Sequence, residues 1–250
     1  MKSSQIKFIR PQKLNSRSVS SWFTLQNQNE FNTESEIPGL NLGNNTNESE
    51  SIISNNRNFL LKEIGVSKEN LVTGEQVHKN KVRYVRQGGL YQSTDAFVTD
   101  VEDLALAIQV ADCAAILLAD ESNRIIGASH AGWRGAVNNI VPKTIRKMIQ
   151  IGAQVKDIKA FISPCISLGS FEVGEEVAKK FPPKYVDRIS FNKPHVDLKK
   201  FIRSQMLDWG MDASNIELSD KCTMTDKNLY SYRRQQNKSG RMMGIIKINS

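Results

Sequence analysis

Two histidines and one cysteine stand in short segments whose composition is typical of an enzyme site. His78 lies in TGEQVHKN, Cys113 in VADCAAILL and His130 in GASHAGWRG, in a chain with three histidines and three cysteines in all. Imidazole nitrogen and thiolate sulfur are ligands of zinc and copper. The three residues are too far apart in sequence for a zinc-finger spacing, so the fold would have to assemble a shared metal site.

The same residue types also have a purely structural interpretation. A free cysteine in an apolar segment is most often a small core residue, and an isolated histidine is most often a hydrogen-bonded structural one. The residue types alone leave both interpretations open. Cys165 and Cys222 are predicted to be buried structural thiols, and the third histidine, His195, lies in the loop-like segment NKPHVD.

Two neighbours of these residues add further chemistry. In HAGWRG, two glycines and Arg134 come between a strand and a helix, where backbone N–H groups and a guanidinium favour an anion. We therefore predict that Arg134 binds phosphate, although a tight turn with a solvent-facing arginine fits the pattern equally well. Asp112, directly before Cys113, is placed for proton transfer beside a metal, or is an ordinary acid at a strand end.

The elements that must position these residues begin after a polar N-terminal region. Residues 15–48 are rich in Asn, Ser, Gln and Glu, and predict a long surface loop. Apolar residues at helical spacing from Ser49 predict a helix that ends at Gly65. Beyond it, four short apolar segments predict the strands of one central sheet. These segments are AFVTD at 96–100, LALAIQVAD at 104–112, AAILLAD at 114–120 and RIIGASH at 124–130.

The last two of these segments are joined by a short polar connection, which predicts an antiparallel hairpin. After the hairpin, apolar positions recur at helical spacing from Val137 to Ile149. Pro142 falls inside this pattern and removes a backbone donor. This helix is therefore either kinked at the proline or begins near Asn139.

The C-terminal half predicts one more helix and a closing strand. Apolar positions between 198 and 209 follow helical spacing, with Asp197 as N-cap and Gly210 as stop. MMGIIKI at 242–248 is typical of a buried strand. We predict an α/β (mixed α+β) fold with a single domain over 1–250, a mixed-sheet sandwich flanked by helices, in which residues 1–48 are loop-rich.

Charge and composition narrow the function classes. The net charge is +8, but basic residues occur in short groups among acidic ones, and no nucleic-acid-binding motif is present. We expect no nucleic acid partner. The sequence has no apolar segment long enough for a membrane helix or a secretory signal, and its odd cysteine count without CxxC spacing argues against disulfides. We expect a soluble cytoplasmic protein without a membrane partner.

Six segments in order resemble one family. They are QVH at 76–78, STDAFVTD at 93–100, ADC at 111–113, HAGWRG at 130–135, FEVG at 171–174 and SYRR at 231–234. The chain is similar to the YfiH family, also called the laccase-domain or multicopper polyphenol oxidoreductase family, whose members are regarded as purine nucleoside phosphorylases. The resemblance implies a mixed α/β sandwich with a metal bound by His78, Cys113 and His130. It also implies phosphorolysis of adenosine, inosine, guanosine and S-methyl-5′-thioadenosine, with adenosine deamination as a second activity.

The resembling segments, together with the residue before SYRR, also supply candidates for substrate binding. These are Gln76, Gly132, Phe171, Tyr230 and Arg233. The group formed by Tyr230, Tyr232, Arg233 and Arg234 could equally anchor the loop before the last strand. The chain departs from the family pattern in SWFTLQNQNEFNTES, where relatives carry a TR-x-GGVS stretch, and in Ser163 and Phe171, where relatives often have a GP-x-I segment followed by tyrosine. Loss of the phenolic hydroxyl could remove a substrate hydrogen bond.

The number of histidines decides between the names that this family carries. A four-copper laccase needs roughly ten imidazole ligands, and the chain has three histidines. Two imidazoles and one thiolate instead match an open zinc site with three protein ligands, with one copper ion as an alternative occupant. In deamination we expect a metal-activated water to attack purine C6 while Asp112 moves the proton. A single-copper phenol oxidase and a non-catalytic, metal-stabilised binding module are the alternative functions.

Overall fold

The computed structural model describes residues 6–250, which form fourteen strands and six α-helices. In chain order the strands are β1 (Phe8–Ile9), β2 (Val19–Thr24), β3 (Leu71–Gly74), β4 (Val82–Tyr84), β5 (Gly89–Tyr91), β6 (Ala96–Thr99), β7 (Ala105–Val110), β8 (Ala114–Asp120), β9 (Ile125–Ala131), β10 (Lys159–Ile162), β11 (Val186–Asp187), β12 (His195–Val196), β13 (Ile216–Leu218) and β14 (Met242–Ile248). The helices are α1 (Glu50–Ile64), α2 (Trp133–Val137), α3 (Ile140–Gln150), α4 (Glu175–Ala178), α5 (Leu198–Asp208) and α6 (Tyr232–Gln235). The prediction that the sequence lacks a secretory signal was based on the N-terminal segment, and residues 1–5 of that segment lie outside the described residues.

Twelve of the strands form two six-stranded mixed sheets, and β11 pairs with β12 separately. The first sheet has the order β1-β2-β14-β7-β3-β5, and the second has the order β13-β10-β8-β9-β6-β4. Their inner faces share one core, to which Phe23 and Ile108 contribute from the first sheet and Phe97 and Leu117 from the second. The predicted mixed α/β sandwich is therefore confirmed.

Helices cover the two outer faces of the sandwich. On the first sheet, α1 packs its buried side chains against residues such as Trp22 and Ile245. On the second sheet, α3 and α5 pack against residues such as Ile116. Successive residues of β14 point to opposite faces, so Ile245 joins the core under α1 while Ile246 joins the core between the sheets. Burial on both faces explains why β14 is apolar except at Lys247.

The strand prediction was right for each apolar segment but wrong in placing all of them in one sheet. Strands β6, β8 and β9 belong to the second sheet, with β8 and β9 as the predicted antiparallel hairpin. Strand β7 belongs to the first sheet, between β14 and β3. The chain crosses between sheets over residues 111–113, where Asp112 adopts a left-handed conformation with φ of 83°. An apolar segment buried on both faces carries no signal of which sheet it joins.

The prediction of a surface loop over residues 15–48 was wrong for its first ten residues. Strand β2 lies inside this region and pairs with β1 and β14. Its residue Ser21 is fully buried, and the hydroxyl donates a hydrogen bond to the carbonyl of Leu14 at 2.9 Å. Ile37, Leu40 and Leu42 are also buried. Polar residues with internal hydrogen bonds hid these elements from a composition-based prediction.

Capping residues mark the ends of α1 and α5, and of these Gly65 and Asp197 were predicted. The Ser49 hydroxyl accepts a hydrogen bond from the backbone N–H of Ile52, and α1 ends at Gly65 with φ of 63°, where glycine is unstrained. Asp197 caps α5 by accepting from the N–H of Lys200. Of the two predictions for the proline-containing helix, the restart is correct, since α3 begins directly after Asn139.

None of the helices over residues 6–250 combines the length and the apolar character that a membrane crossing requires.

Candidate metal centre

His78, Cys113 and His130 come together, with one ligand atom of each lying within 4.8 Å of the other two. His78 lies in the loop after β3, Cys113 in the crossing segment before β8, and His130 near the end of β9. Ala114 pairs with Ala131 in the β8–β9 hairpin, so Cys113 and His130 share one end of that hairpin. The two imidazole rings meet edge to face, with centroids 4.7 Å apart.

Asp95 holds two of the three residues in place. Its carboxylate is fully buried and accepts hydrogen bonds from the backbone N–H groups of Val77, His78 and Lys79 at 3.2, 2.9 and 3.0 Å. The same carboxylate contacts Nδ1 of His130 at 2.9 Å. Because an ionised carboxylate only accepts, Nδ1 of His130 carries a proton and Nε2 is free to coordinate. Asp95 therefore fixes both the His78 loop and the His130 tautomer.

The charges of the group favour a thiolate at Cys113. Burial raises the pKa of the Cys113 thiol, but the positive charge of His130 and hydrogen bonds from both imidazoles lower it below its usual value. Burial lowers the pKa of His130, but the Cys113 thiolate and the hydrogen bond to Asp95 raise it. Thiolate is the form in which cysteine binds a metal.

Gly132 makes the close packing around the thiol possible. A Cβ atom at this position would lie 2.7 Å from Sγ of Cys113 and 3.4 Å from Cδ2 of His78. Any larger residue at position 132 would push against the thiol. The first glycine of HAGWRG is thus required by the three-residue group itself.

The donor set fits a single transition-metal ion. Two imidazoles and one thiolate are the borderline-soft donors that zinc prefers, and copper binds the same set. His130 is buried, Cys113 is half-buried and His78 is exposed, so the group is open on one side. Three protein donors with an open side are typical of a catalytic rather than a structural zinc site.

The open side faces a cavity of about 640 Å³. Its volume lies within the range of about 300 to 1,000 Å³ that is usual for small-molecule sites. Apolar and aromatic residues of its wall include Leu90, Trp133, Ile166, Phe171 and Tyr232. Polar residues of the wall include Asn44, Asn45, Thr46, Asn47, Glu75, Gln76, Gln109, Asp112, Arg233, Gln236, Asn237 and Arg241. Aromatic surfaces beside amide and guanidinium groups suit a flat, polar ring system.

Asp112 links the metal group to the C-terminal region of the chain. One carboxylate oxygen accepts from the Thr223 hydroxyl and the other from the backbone N–H of Arg233, each at 2.6 Å.

Gln76 fixes the position of Gln109 within the cavity wall. Its side-chain amide forms two hydrogen bonds of 2.8 Å with the backbone of Gln109, one as donor and one as acceptor. The side chain of Gln109 is therefore held at the cavity.

The comparison with protein families gives a match to the multi-copper polyphenol oxidoreductase laccase family over residues 23–249. This chain belongs to that family. A Corynebacterium glutamicum protein named purine nucleoside phosphorylase is 35% identical over 221 residues, which cover 86% of this chain and 89% of the relative. A protein named adenosine deaminase RL5, from an unknown prokaryotic organism, is 31% identical over 73% of this chain and 76% of its own length.

A solved structure is similar over almost the full length. The crystal structure of Bacillus licheniformis YfiH superimposes with a TM-score of 0.86 at 25% identity, covering 97% of this chain and 99% of YfiH. The resemblance to the YfiH and laccase-domain family is thereby confirmed. The copper-oxidase name of the laccase family does not make this chain a four-copper enzyme, since three histidines are too few for the roughly ten imidazoles required.

Within this laccase-family site, the structure brings together most of the predicted residues. Gln76, Asp112, Phe171 and Arg233 line the same cavity as the His–Cys–His group. Gly132 is buried against the Cys113 thiol, so its place is beside the metal group rather than in the cavity wall.

Three predictions about individual side chains have to be corrected. Arg134 is exposed, lies over the ring of Trp133 at 4.2 Å and is not among the residues that line the cavity. Tyr230 is fully buried, and its hydroxyl donates to the carbonyl of Pro38 at 2.8 Å, so it anchors the loop as the alternative interpretation held. His195 lies in β12 rather than a loop, with Nδ1 2.7 Å from the carbonyl of Leu168.

The remaining two cysteines are buried, as predicted, and are joined by a backbone bridge. Sequence reasoning missed Asp95, Gln109 and Arg241. Asp95 lies inside the segment STDAFVTD that carried the family resemblance, so a signal for it was present. Arg241 stands in SGRMMG, where nothing in the residue types distinguishes it from a surface arginine.

Proposed function

We propose that this protein is a zinc-dependent purine nucleoside phosphorylase that acts on adenosine, inosine, guanosine and S-methyl-5′-thioadenosine. We further propose adenosine deamination as a second activity of the same site. The observation that carries the proposal is the open His78–Cys113–His130 group in the wall of a cavity sized for a nucleoside. The names of the Corynebacterium glutamicum relative and of adenosine deaminase RL5 support the two activities.

The cavity wall supplies what a purine nucleoside needs for binding. Trp133, Phe171 and Tyr232 offer aromatic surface for the purine ring, and the side-chain amide of Gln109 offers both a donor and an acceptor. Stacking does not distinguish one purine from another, and a side-chain amide can turn either its NH2 donor or its carbonyl acceptor toward the base. The two together therefore discriminate poorly between purines. This arrangement supports a broad range of purine nucleosides.

The chain's own polar residues suit the proton movements of both reactions. The carboxylate of Asp112 lines the cavity next to Cys113 and keeps unused lone pairs beside its two hydrogen bonds. In our proposal it receives and returns the proton that moves during deamination. When bound, zinc supplies Lewis acidity toward an oxygen atom in the cavity.

The proposal is tested with purified protein whose metal content has been measured. Adenosine is supplied with and without inorganic phosphate, and adenine, inosine and ribose 1-phosphate are quantified. We expect phosphate-dependent release of adenine and phosphate-independent formation of inosine, and both are lost in His130→Ala. Full phosphate-dependent adenine release by His130→Ala contradicts the proposed role of the metal.

The same assay separates the alternative functions. A protein that produces neither adenine nor inosine with zinc bound is a metal-stabilised binding module, and the proposal fails. Oxygen consumption with a phenol that follows copper loading rather than zinc loading identifies a single-copper oxidase instead.

A further inference from the structure

Two arginines in the cavity wall have no acidic partner. Arg233 belongs to α6 and Arg241 directly precedes β14, and both line the cavity that contains the metal group. Neither takes part in an ion pair within residues 6–250. A guanidinium in a partly enclosed site is normally paired with a carboxylate or held for an anionic ligand. The cavity therefore holds two positive charges that an anion could neutralise.

The acidic residues in the same wall are engaged by other donors. A carboxylate oxygen of Glu75 accepts from the backbone N–H of Ser93 at 3.0 Å. Asp112 accepts from Thr223 and from the backbone N–H of Arg233, not from its guanidinium. The arginine side chains are thus left for a ligand.

Arg241 is held from behind by backbone carbonyls. Its Nη1 donates to the carbonyls of Ser239 and Gly240 at 2.7 and 3.0 Å, and Nη2 makes a long contact of 3.5 Å with the carbonyl of Asn45. A guanidinium has five N–H donors. Its Nε–H and one Nη2–H have no acceptor among the described residues. These two donors form the fork that binds two oxygens of a phosphate.

The guanidinium of Arg233 is also held by a backbone carbonyl. Its Nη1 donates to the carbonyl of Glu172 at 3.1 Å, and its guanidinium lies 6.0 Å from the centre of the Phe171 ring. Arg241 also lies within the electrostatic reach of Cys113 and Asp112, which counteract the lowering of its pKa by burial. The two arginines therefore share one cavity with the metal group.

We propose that Arg241 and Arg233 bind the inorganic phosphate that attacks the nucleoside, an inference that rests on the proposed phosphorolysis. An oxygen of hydrogenphosphate forms a bond to C1′ of the ribose, and the bond between C1′ and purine N9 breaks. The electron pair of that bond goes to the purine, and the proton of hydrogenphosphate ends on the purine. The two arginines stabilise the anion before attack and the ribose 1-phosphate after it. The exposed Arg134 has no part in this step.

The experiment compares Arg241→Lys and Arg233→Lys with wild type and with Arg146→Lys, an exposed arginine on α3 outside the cavity. Lysine keeps the charge but removes the fork. We expect the KM for phosphate to rise at least tenfold in Arg241→Lys and severalfold in Arg233→Lys, with metal content unchanged. Arg146→Lys is expected to behave as wild type. Equilibrium dialysis with radiolabelled inorganic phosphate gives an affinity that does not depend on turnover.

Each outcome separates the subsite from the proposed function. If wild type binds phosphate, loses this binding in Arg241→Lys and yet cleaves no nucleoside, the proposed function fails and the subsite stands. If wild type cleaves nucleosides and Arg241→Lys keeps the wild-type KM for phosphate, the subsite is wrong. The subsite is also wrong if the KM for phosphate rises in Arg134→Lys and does not change in Arg241→Lys. It is wrong as well if the protein cleaves adenosine 5′-monophosphate but does not cleave adenosine supplied with inorganic phosphate.

Discussion

The two walls of the cavity are built in opposite ways. The wall that contains His78, Cys113 and His130, called the metal wall, consists of residues next to paired strands. Behind it, the buried carboxylate of Asp95 accepts from four donors, three in the His78 loop and one on His130. The facing wall consists of the segment Asn44–Asn47 and the segment 232–241, where most side chains are exposed. In the proposed function, residues held beside paired strands would fix the ligand geometry, and loops would recognise the substrate.

This difference predicts how the walls respond to substitution. In the metal wall, one change removes a partner from several others, because the polar groups are shared in a network. In the facing wall, an exposed side chain can be removed without leaving a buried group unpaired. Changes in the metal wall should therefore alter metal binding and activity together, and changes in the facing wall should alter the recognition of nucleoside or phosphate without loss of the metal.

The largest effect is expected for Cys113→Ser. A serine hydroxyl is not deprotonated at neutral pH and is a poor ligand for zinc, so we expect substoichiometric metal and at least a 100-fold loss of nucleoside cleavage. Elemental analysis and purine release measure the two quantities. The matched control is Cys222→Ser, a buried thiol whose Sγ accepts from the N–H of Ser167 and donates to the Ser170 hydroxyl. Full metal content in Cys113→Ser would remove this residue from the metal site.

The second effect comes from Asp95→Asn. The amide can no longer accept at both oxygens, so the His78 loop and the Nδ1–H of His130 lose a shared partner. Substitution of such an orienting carboxylate typically lowers metal affinity by about 10- to 100-fold. Competition with a chromogenic zinc chelator measures the affinity.

The matched control for this change is Asp120→Asn. Asp120 is also fully buried and accepts from backbone N–H groups, those of Asn123 and Gln154, but at the far end of β8. We expect Asp120→Asn to lower the melting temperature with metal affinity retained. Equal loss of metal affinity in both variants would mean that Asp95 acts through general stability and not through the imidazole.

The sequence was sufficient for residues whose neighbours in the chain also decide their structure. The stop of α1 at Gly65, the Asp197 cap and the β8–β9 hairpin follow from local rules and were predicted, and the restart of α3 after Asn139 was one of two predictions for that helix. The assignment of β7 to the first sheet could not be predicted, because it depends on which strands it meets in space. The sequence left a phosphate-binding and a solvent-facing Arg134 equally open for the same reason, since a turn sequence does not give the direction of a side chain.

The metal group shows where the resemblance helped the prediction. Residue types alone left His78, Cys113 and His130 divided between a structural and a metal-binding interpretation, and the YfiH resemblance favoured the second. Asp95 was not assigned although it lies in a resembling segment, because its role depends on contacts with residues 17 to 35 positions away. Long-range partners of a buried carboxylate are invisible in a single sequence.

The facing wall is expected to show a smaller effect in Asn44→Ala. This exposed asparagine lines the cavity, and loss of one hydrogen bond to a substrate costs about 0.5 to 1.5 kcal/mol. We expect the ratio of kcat/KM for adenosine over inosine to change by about two- to tenfold, while melting temperature and metal content stay the same. Steady-state kinetics with both nucleosides provide the ratio. A loss of metal in this variant would contradict the separation of the two walls.

The smallest effect on activity is expected for Tyr230→Phe, although this residue directly precedes SYRR, one of the segments that resemble the family. Its hydroxyl is used by Pro38, and the ring fills the space next to Gly240, where an added Cβ would lie within 2.6 Å of it. Removing the hydroxyl leaves the Pro38 carbonyl without its donor and should lower the free energy of unfolding by about 1 kcal/mol. Urea denaturation measures this change, and KM for every nucleoside should be as in wild type. A raised KM with unchanged stability would place Tyr230 at the substrate and extend the recognition wall into the core.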